Sequence, residues 1–272
     1  MINQRLWINA IVMLLLASKF VACTQVPITG RRQFNLIPES DLMAMSLTQY
    51  NAFLSENKLS TNAEQVAMVQ RVGNNMARAV ESYFKERGWS DQLENFSWQF
   101  NLVENPAINA WCMPGGKIVF YSGIMPICKD DMGVAVVMGH EIAHAIARHG
   151  SERMSQQLGV QAGAVALSVL LAEQPVQTQN IFMTAFGVTT QLGMILPYSR
   201  SHEYEADRLG MIIMALAGYN PEGAIDFWHR MAALDGPNPP AWLSTHPTDQ
   251  ARIQNMMKVL PEAMRYYQNR GR

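Results

Sequence analysis

The chain has 272 residues, 49% of them apolar, with 21 Lys plus Arg against 22 Asp plus Glu and a formal charge of −1. That composition supports a buried core and excludes an intrinsically disordered chain. Near-neutral charge without a block of like sign excludes the electrostatic footprint of a nucleic-acid binder, and no internal repeat points to a solenoid or propeller.

Residues 1–22 have the layout of an export signal: Arg5 near the start, an apolar run from Ala10 to Ala17, and Phe20-Val21-Ala22 leading into Cys23. Small or apolar residues before a Cys resemble a bacterial lipobox, so Cys23 is expected to be the lipidated first residue of the mature protein, tied to a membrane through its lipid. Residues 23–37, with Pro27, Gly30 and no periodicity, are expected to be a tether, and 38–272 the folded domain. Lipidation at Cys23 would leave Cys112 and Cys128 as an even pair, which in an oxidising compartment predicts a disulfide. Two buried thiols are the alternative.

Helices are predicted over 39–57 and 62–88, the second with Val66, Val69, Val72, Met76 and Val80 at helical spacing. Alternation predicts strands over 96–103 and 117–121, with a turn at Pro114-Gly115-Gly116 between them. From Asp131 the chain reads as helical, first as one long helix to Gln157. Two apolar stretches follow, 159–172 and 181–196, both expected in the buried core and both short for membrane spans. Further helices are expected over 199–218, 221–234 and 248–259. The expected fold class is α+β, predominantly helical with one small β-sheet.

His140-Glu141-Ile142-Ala143-His144 lies inside the long predicted helix, where a spacing of four puts both imidazoles on one face. That suits two ligands of one zinc ion, with Glu141 placed to act as a base on water. The flanking residues are apolar, and burying these polar groups without a partner would cost roughly 1–3 kcal/mol each. His149, nine residues after His140, points to the opposite side of such a helix. Ala147 and Gly150 stand where the metzincin pattern needs Gly and His. Glu203 is the expected third ligand, and Asp207, one turn on, the acceptor for a ligand's free ring proton. Glu205 reads as a surface or salt-bridge acid, and His202 as a surface or packing residue. His246, before Pro247 in a predicted loop, is expected either to stabilise an oxyanion or to take the fourth zinc position, with a capping role as the alternative.

The HExxH helix, Glu203 to Asp207, Asn109-Ala110 with Pro114-Gly115-Gly116, and Ser244-Thr245-His246-Pro247 together resemble the CAAX prenyl endopeptidase and HtpX family of zinc metallopeptidases, which are zincin-like gluzincins. The likeness covers about residues 38–258 and is strongest to the small exported lipoprotein branch related to the mitochondrial Oma-type protease. The resemblance implies His140, His144 and Glu203 as ligands of one zinc, Glu141 as general base, and the sheet beside the HExxH helix. It also implies unfolded or misassembled envelope proteins as substrates; the lipid on Cys23 would make the enzyme periplasm-facing, and Thr24, in place of an inner-membrane-retention Asp, points more to the outer membrane than the inner. Asn109, Ala110, Trp111 and Cys112 are then expected to form an edge strand that pairs with the substrate.

Overall fold

The computed structural model describes residues 23–190, 196–234, 239–247 and 250–270. The export signal over 1–22 lies outside them. A hairpin of β1 (Cys23–Gln25) and β2 (Arg32–Phe34) leads to helices α1 (Glu39–Glu56) and α2 (Ala63–Glu86). Three strands follow, β3 (Gln99–Val103), β4 (Ala110–Met113) and β5 (Lys117–Tyr121), then the short α3 (Met125–Cys128) and α4 (Asp131–Ile146). The remainder is helical: α5 (His149–Leu170), α6 (Val176–Thr190), α7 (Leu196–Leu216), α8 (Glu222–Ala232), α9 (Ala241–Thr245) and α10 (Gln250–Gln268). The architecture is α+β, mostly helical with a small sheet beside the HExxH helix, as expected.

The three strands lie in the order β3-β5-β4, with β3 and β5 parallel and β4 antiparallel to β5. Alternate residues face opposite ways. Phe100, Leu102, Ile118 and Phe120 join the main core with α2 and α4, while Val103, Val119 and Trp111 meet Tyr50 and Phe53 of α1. The β4–β5 turn needs its glycines: Gly115 and Gly116 have φ of 82° and 78°, and a Cβ at Gly116 would lie 2.4 Å from the Trp98 ring.

Three expectations are corrected. Residues 23–37 do not run as a loose tether: they form the hairpin, and Val26 is buried in the main core. The helix predicted over 131–157 breaks at Arg148, which adopts φ of 54°, so that α5 starts afresh in a new direction. No Gly or Pro marks the break; an ion pair between Arg148 and Glu39 of α1, 2.6 Å, holds it. Of the stretches expected in the core, 159–172 and 181–196, residues 191–195 lie outside the described residues; 159–170 and 181–190 belong instead to a hairpin of α5 and α6 with Val165, Val169 and Ile181 more than 60% exposed. Among the described residues no helix is long and apolar enough to cross a membrane.

Helix α4 is the centre of the core, capped by the Asp130 carboxylate on the Gly133 N–H at 3.0 Å. It meets α7 where Gly139 faces Gly210, and a Cβ on Gly210 would lie 3.0 Å from backbone atoms of Gly139 and His140. Gly210→Ala is therefore expected to lower unfolding free energy by about 1–3 kcal/mol, since backbone must shift to admit the methyl. Gly159→Ala, in a helix with open space around it, is expected to raise it by about 0.5–1 kcal/mol. Chemical denaturation of both variants checks the pair; equal effects would contradict the close crossing.

Candidate metal centre and active site

The approach of α4 and α7 sets two acids against two imidazoles. His140 and His144, one turn apart on α4, bring their Nε2 atoms to 3.1 Å from each other. Glu203 on α7 places Oε2 at 3.3 Å from His140 Nε2 and Oε1 at 3.4 Å from His144 Nε2. His246, directly after α9, brings Nδ1 to 3.2 Å from His140 Nε2 and 3.0 Å from Glu203 Oε2. These four residues are a group able to hold a metal ion. Tetrahedral zinc with ligands at about 2.0–2.1 Å has donor–donor edges of about 3.3 Å, which the observed separations match. The donor set of three imidazoles and one carboxylate fits that ion.

Each α4 imidazole is held from behind. His140 Nδ1 faces Asp207 Oδ1 at 3.1 Å, and Asp207 in turn accepts from Arg252 Nε and Nη2 at 2.6 and 2.8 Å. With Nδ1–H donating to Asp207, the Nε2 lone pair is left to face the other donors. Burial would lower the His140 pKa, but Asp207 and Glu203 outweigh it and raise it to about 9. The site's field therefore favours a positive charge at this point. Burial holds His144 well below the usual imidazole range, in the neutral form that ligates. Glu203 stays ionised despite its burial, because His246 and His144 hold its pKa well down.

His144 has a different backing, visible only once the helix breaks at Arg148. The turn swings His149 round so that its Nδ1 lies 2.8 Å from His144 Nδ1, while its Nε2 meets Glu205 Oε2 at 2.9 Å. His149 is thus behind the ligand rather than across the helix from it, and Glu205 is a buried acid, not a surface one. His202 is buried as well: its ring stacks on His149 at 4.3 Å and its Nε2 meets Glu152 Oε2 at 2.9 Å.

Glu141 is buried, and Trp242 Nε1–H donates to its Oε1 at 2.9 Å, fixing the carboxylate. A cleft of about 530 Å³ opens over the site; its lining includes Glu141, His144, Glu203 and His246. Strand β4 is the sheet edge beside α4, and Asn109, Ala110, Trp111 and Cys112 all line the cleft. The disulfide expected between Cys112 and Cys128 is absent: both are free thiols. Burial raises both thiol pKa values, and the Cys112 S–H donates to the Met113 carbonyl at 3.3 Å. The Cys23 side chain lies outside the described residues.

Arg252, Trp242 and His149 were not legible as functional positions. Arg252 is 2% exposed, stacks 3.9 Å over Trp228 and donates to the carbonyls of His246 and Pro247 at 3.1 and 2.9 Å, so it also fixes the His246 loop. It lies six residues after His246, and that proximity is the single sequence signal for it.

Burial acts against ionised Glu152, yet its bonds to His202 and Arg31 hold its pKa at about 2. A depressed carboxylate contributes stability that is fully present above its unfolded pKa of about 4.5 and is lost as pH falls towards 2. Wild-type stability is expected to fall more steeply than that of Glu152→Gln between pH 4.5 and 2. Parallel profiles in acid denaturation would contradict the pairing.

The sequence profile of peptidase family M48 matches residues 63–259. The mitochondrial metalloendopeptidase OMA1 of Schizosaccharomyces pombe is 31% identical over 251 residues, covering 90% of this chain and 68% of that protein. Its Saccharomyces cerevisiae namesake is 29% identical, covering 90% of this chain and 71% of that one. The β-barrel assembly-enhancing protease of Escherichia coli is 31% identical over 162 residues, 57% of this chain and 33% of that protein. With a metal-binding donor set on an HExxH helix under a cleft, and a family profile spanning most of its length, the chain belongs to peptidase family M48 and is a zincin-like metalloendopeptidase.

Proposed function

We propose that the chain is a zinc-dependent endopeptidase of the bacterial cell envelope that cleaves misfolded or misassembled envelope proteins. The observation that carries the reading is the convergence of donor atoms from His140, His144, Glu203 and His246, all within 4.8 Å of one another, beside Glu141 and under a cleft bordered by an edge strand. The leader over 1–22 and Cys23 support export and lipid anchoring, in the small lipoprotein branch of the HtpX-like enzymes, with the outer membrane as the favoured site. An Escherichia coli relative named for enhancing β-barrel assembly supports an envelope substrate class.

His140, His144 and Glu203 would hold the zinc. When bound, zinc polarises the scissile carbonyl and makes water a nucleophile at neutral pH. Glu141 takes a proton from the attacking water and returns it to the leaving amine nitrogen. Trp242, by donating to one carboxylate oxygen, leaves the other for that transfer. An extended substrate lies along Asn109 to Cys112, adding a strand to β4 and so bringing its backbone past the base. His246 lines the cleft and stands at the fourth corner of the donor set, so productive binding requires its imidazole to withdraw.

That same position of His246 favours a second reading, a tethered chaperone or assembly factor whose metal site is kept shut. Cleavage of casein with zinc present separates the two. Glu141→Gln is expected to lose at least about 100-fold in rate while still binding zinc. A wild type that binds one zinc and cleaves nothing would favour the shut-site reading. His246→Ala is expected to raise the casein cleavage rate severalfold; a loss of rate would instead make His246 part of the catalytic machinery.

A further inference from the structure

The turn joining β1 to β2 reaches the rear of the metal site. It is tight, with Val26 N–H bonded to the Arg31 carbonyl at 2.8 Å and both Ile28 and Gly30 at φ of 69°. Anchored by buried Val26, it presents Arg31 to two buried acids. The guanidinium makes a fork to Glu152, Nη1 to Oε1 at 3.0 Å and Nη2 to Oε2 at 2.7 Å, while Nε donates to Glu205 Oε2 at 2.7 Å. Thr29 Oγ1 also donates to Glu205 Oε1. Glu205 Oε2, the oxygen that accepts from Arg31 Nε, also accepts from His149 Nε2, and His149 Nδ1 faces His144 Nδ1. Glu152 bonds His202, whose ring stacks on His149. One planar cation thus fixes two carboxylates, and each carboxylate fixes one of two stacked imidazoles.

The arrangement parallels the support of His140, where Arg252 clamps Asp207. In that case the arginine comes from the far end of the domain; behind His144 it comes from a segment outside the family match over 63–259. The hairpin also continues into residues 35–38, which line the cleft, with the Leu36 N–H bonded to Ser155 Oγ of α5 at 2.8 Å.

We propose that the amino-terminal hairpin is a positioning part of the active site, in which Arg31, acting through Glu205 and His149, fixes the orientation and tautomer of His144. His144 Nδ1–H then donates a hydrogen bond to His149 Nδ1, and His149 Nε2–H donates one to Glu205, so that His144 Nε2 keeps its lone pair for the metal. Arg31 suits the task because its fixed fork spans both acids, which a point charge on a flexible stem does not.

The inference rests on the reading of His144 as a metal ligand. Its test uses the full chain and two readouts: zinc affinity by competition with a chromophoric chelator, and the melting temperature of the metal-free protein. Arg31→Ala is expected to weaken zinc binding about 10–100-fold, the usual consequence of losing a ligand's outer support. Arg31→Lys keeps the charge and is expected to melt within a few degrees of wild type while still losing zinc affinity severalfold. Arg71→Ala, which breaks an exposed ion pair with Asp131, is expected to change zinc affinity less than twofold. Zinc affinity within twofold of wild type in Arg31→Ala would overturn the proposal. Full recovery of affinity in Arg31→Lys would overturn it too, by reducing Arg31 to charge compensation. A wild type that binds no zinc would instead overturn the metal reading on which it rests.

Discussion

Two imidazoles and two carboxylates meet where α4 and α7 cross, all but the half-buried His144 buried from water, and the rest of the structure answers the cost of putting them there. Unpaired, each such group in an apolar interior would cost on the order of 1–3 kcal/mol, more when charged. The pair Gly139 and Gly210 lets the helix backbones come close enough for Glu203 and Asp207 to reach His140. The polar groups around the crossing are paired in turn: Asp207 with Arg252, Glu205 with His149 and Arg31, Glu141 with Trp242. The negative potential that Asp207 and Glu203 set at His140 and the neutral state of His144 are consequences of that packing, and they are the electrostatics a divalent cation needs.

Around this centre the fold supplies a rigid floor and an open wall. The sheet is packed on both faces, by α2 and α4 on one side and α1 on the other, so its edge strand β4 is held firmly beside the HExxH helix. Trp228 and Trp242 stack at 5.1 Å beneath the His246 loop, and Arg252 lies over the first of them while donating to the loop's carbonyls. The residue at the fourth corner therefore sits on an aromatic and cationic platform. Its position is set by Trp242, four residues before it, and Arg252, six after it, both packed on Trp228 of α8.

Much of the centre was legible because helical spacing is a strong constraint. His140 and His144 share a face at a separation of four, and Glu203 and Asp207 do the same on α7, so the pattern predicts which atoms meet. The break at Arg148 was not legible, since a left-handed arginine between Ala147 and His149 leaves no Gly or Pro in the sequence. Treating the helix as continuous sent His149 to the wrong side and hid its link to Glu205. The hairpin over 23–34 was misread for a related reason: a three-residue strand pair has too little alternation to register, and its buried ion pairs are tertiary. The α5–α6 hairpin was misplaced because apolar composition reports a preference for burial without saying against what; here the partner surface is small and many of its side chains are exposed. The cysteines show the same limit, since even parity permits a bridge but only geometry makes one.

The central claim is that three histidines and one glutamate converge on a single metal. X-ray absorption at the zinc edge of the loaded protein tests it most directly. Four ligands at about 2.0 Å are expected, three of them with the multiple-scattering signature of imidazole, and one of these three is lost in His246→Ala. A sulfur ligand, fewer than two imidazoles, or a spectrum unchanged by His246→Ala would contradict the site described.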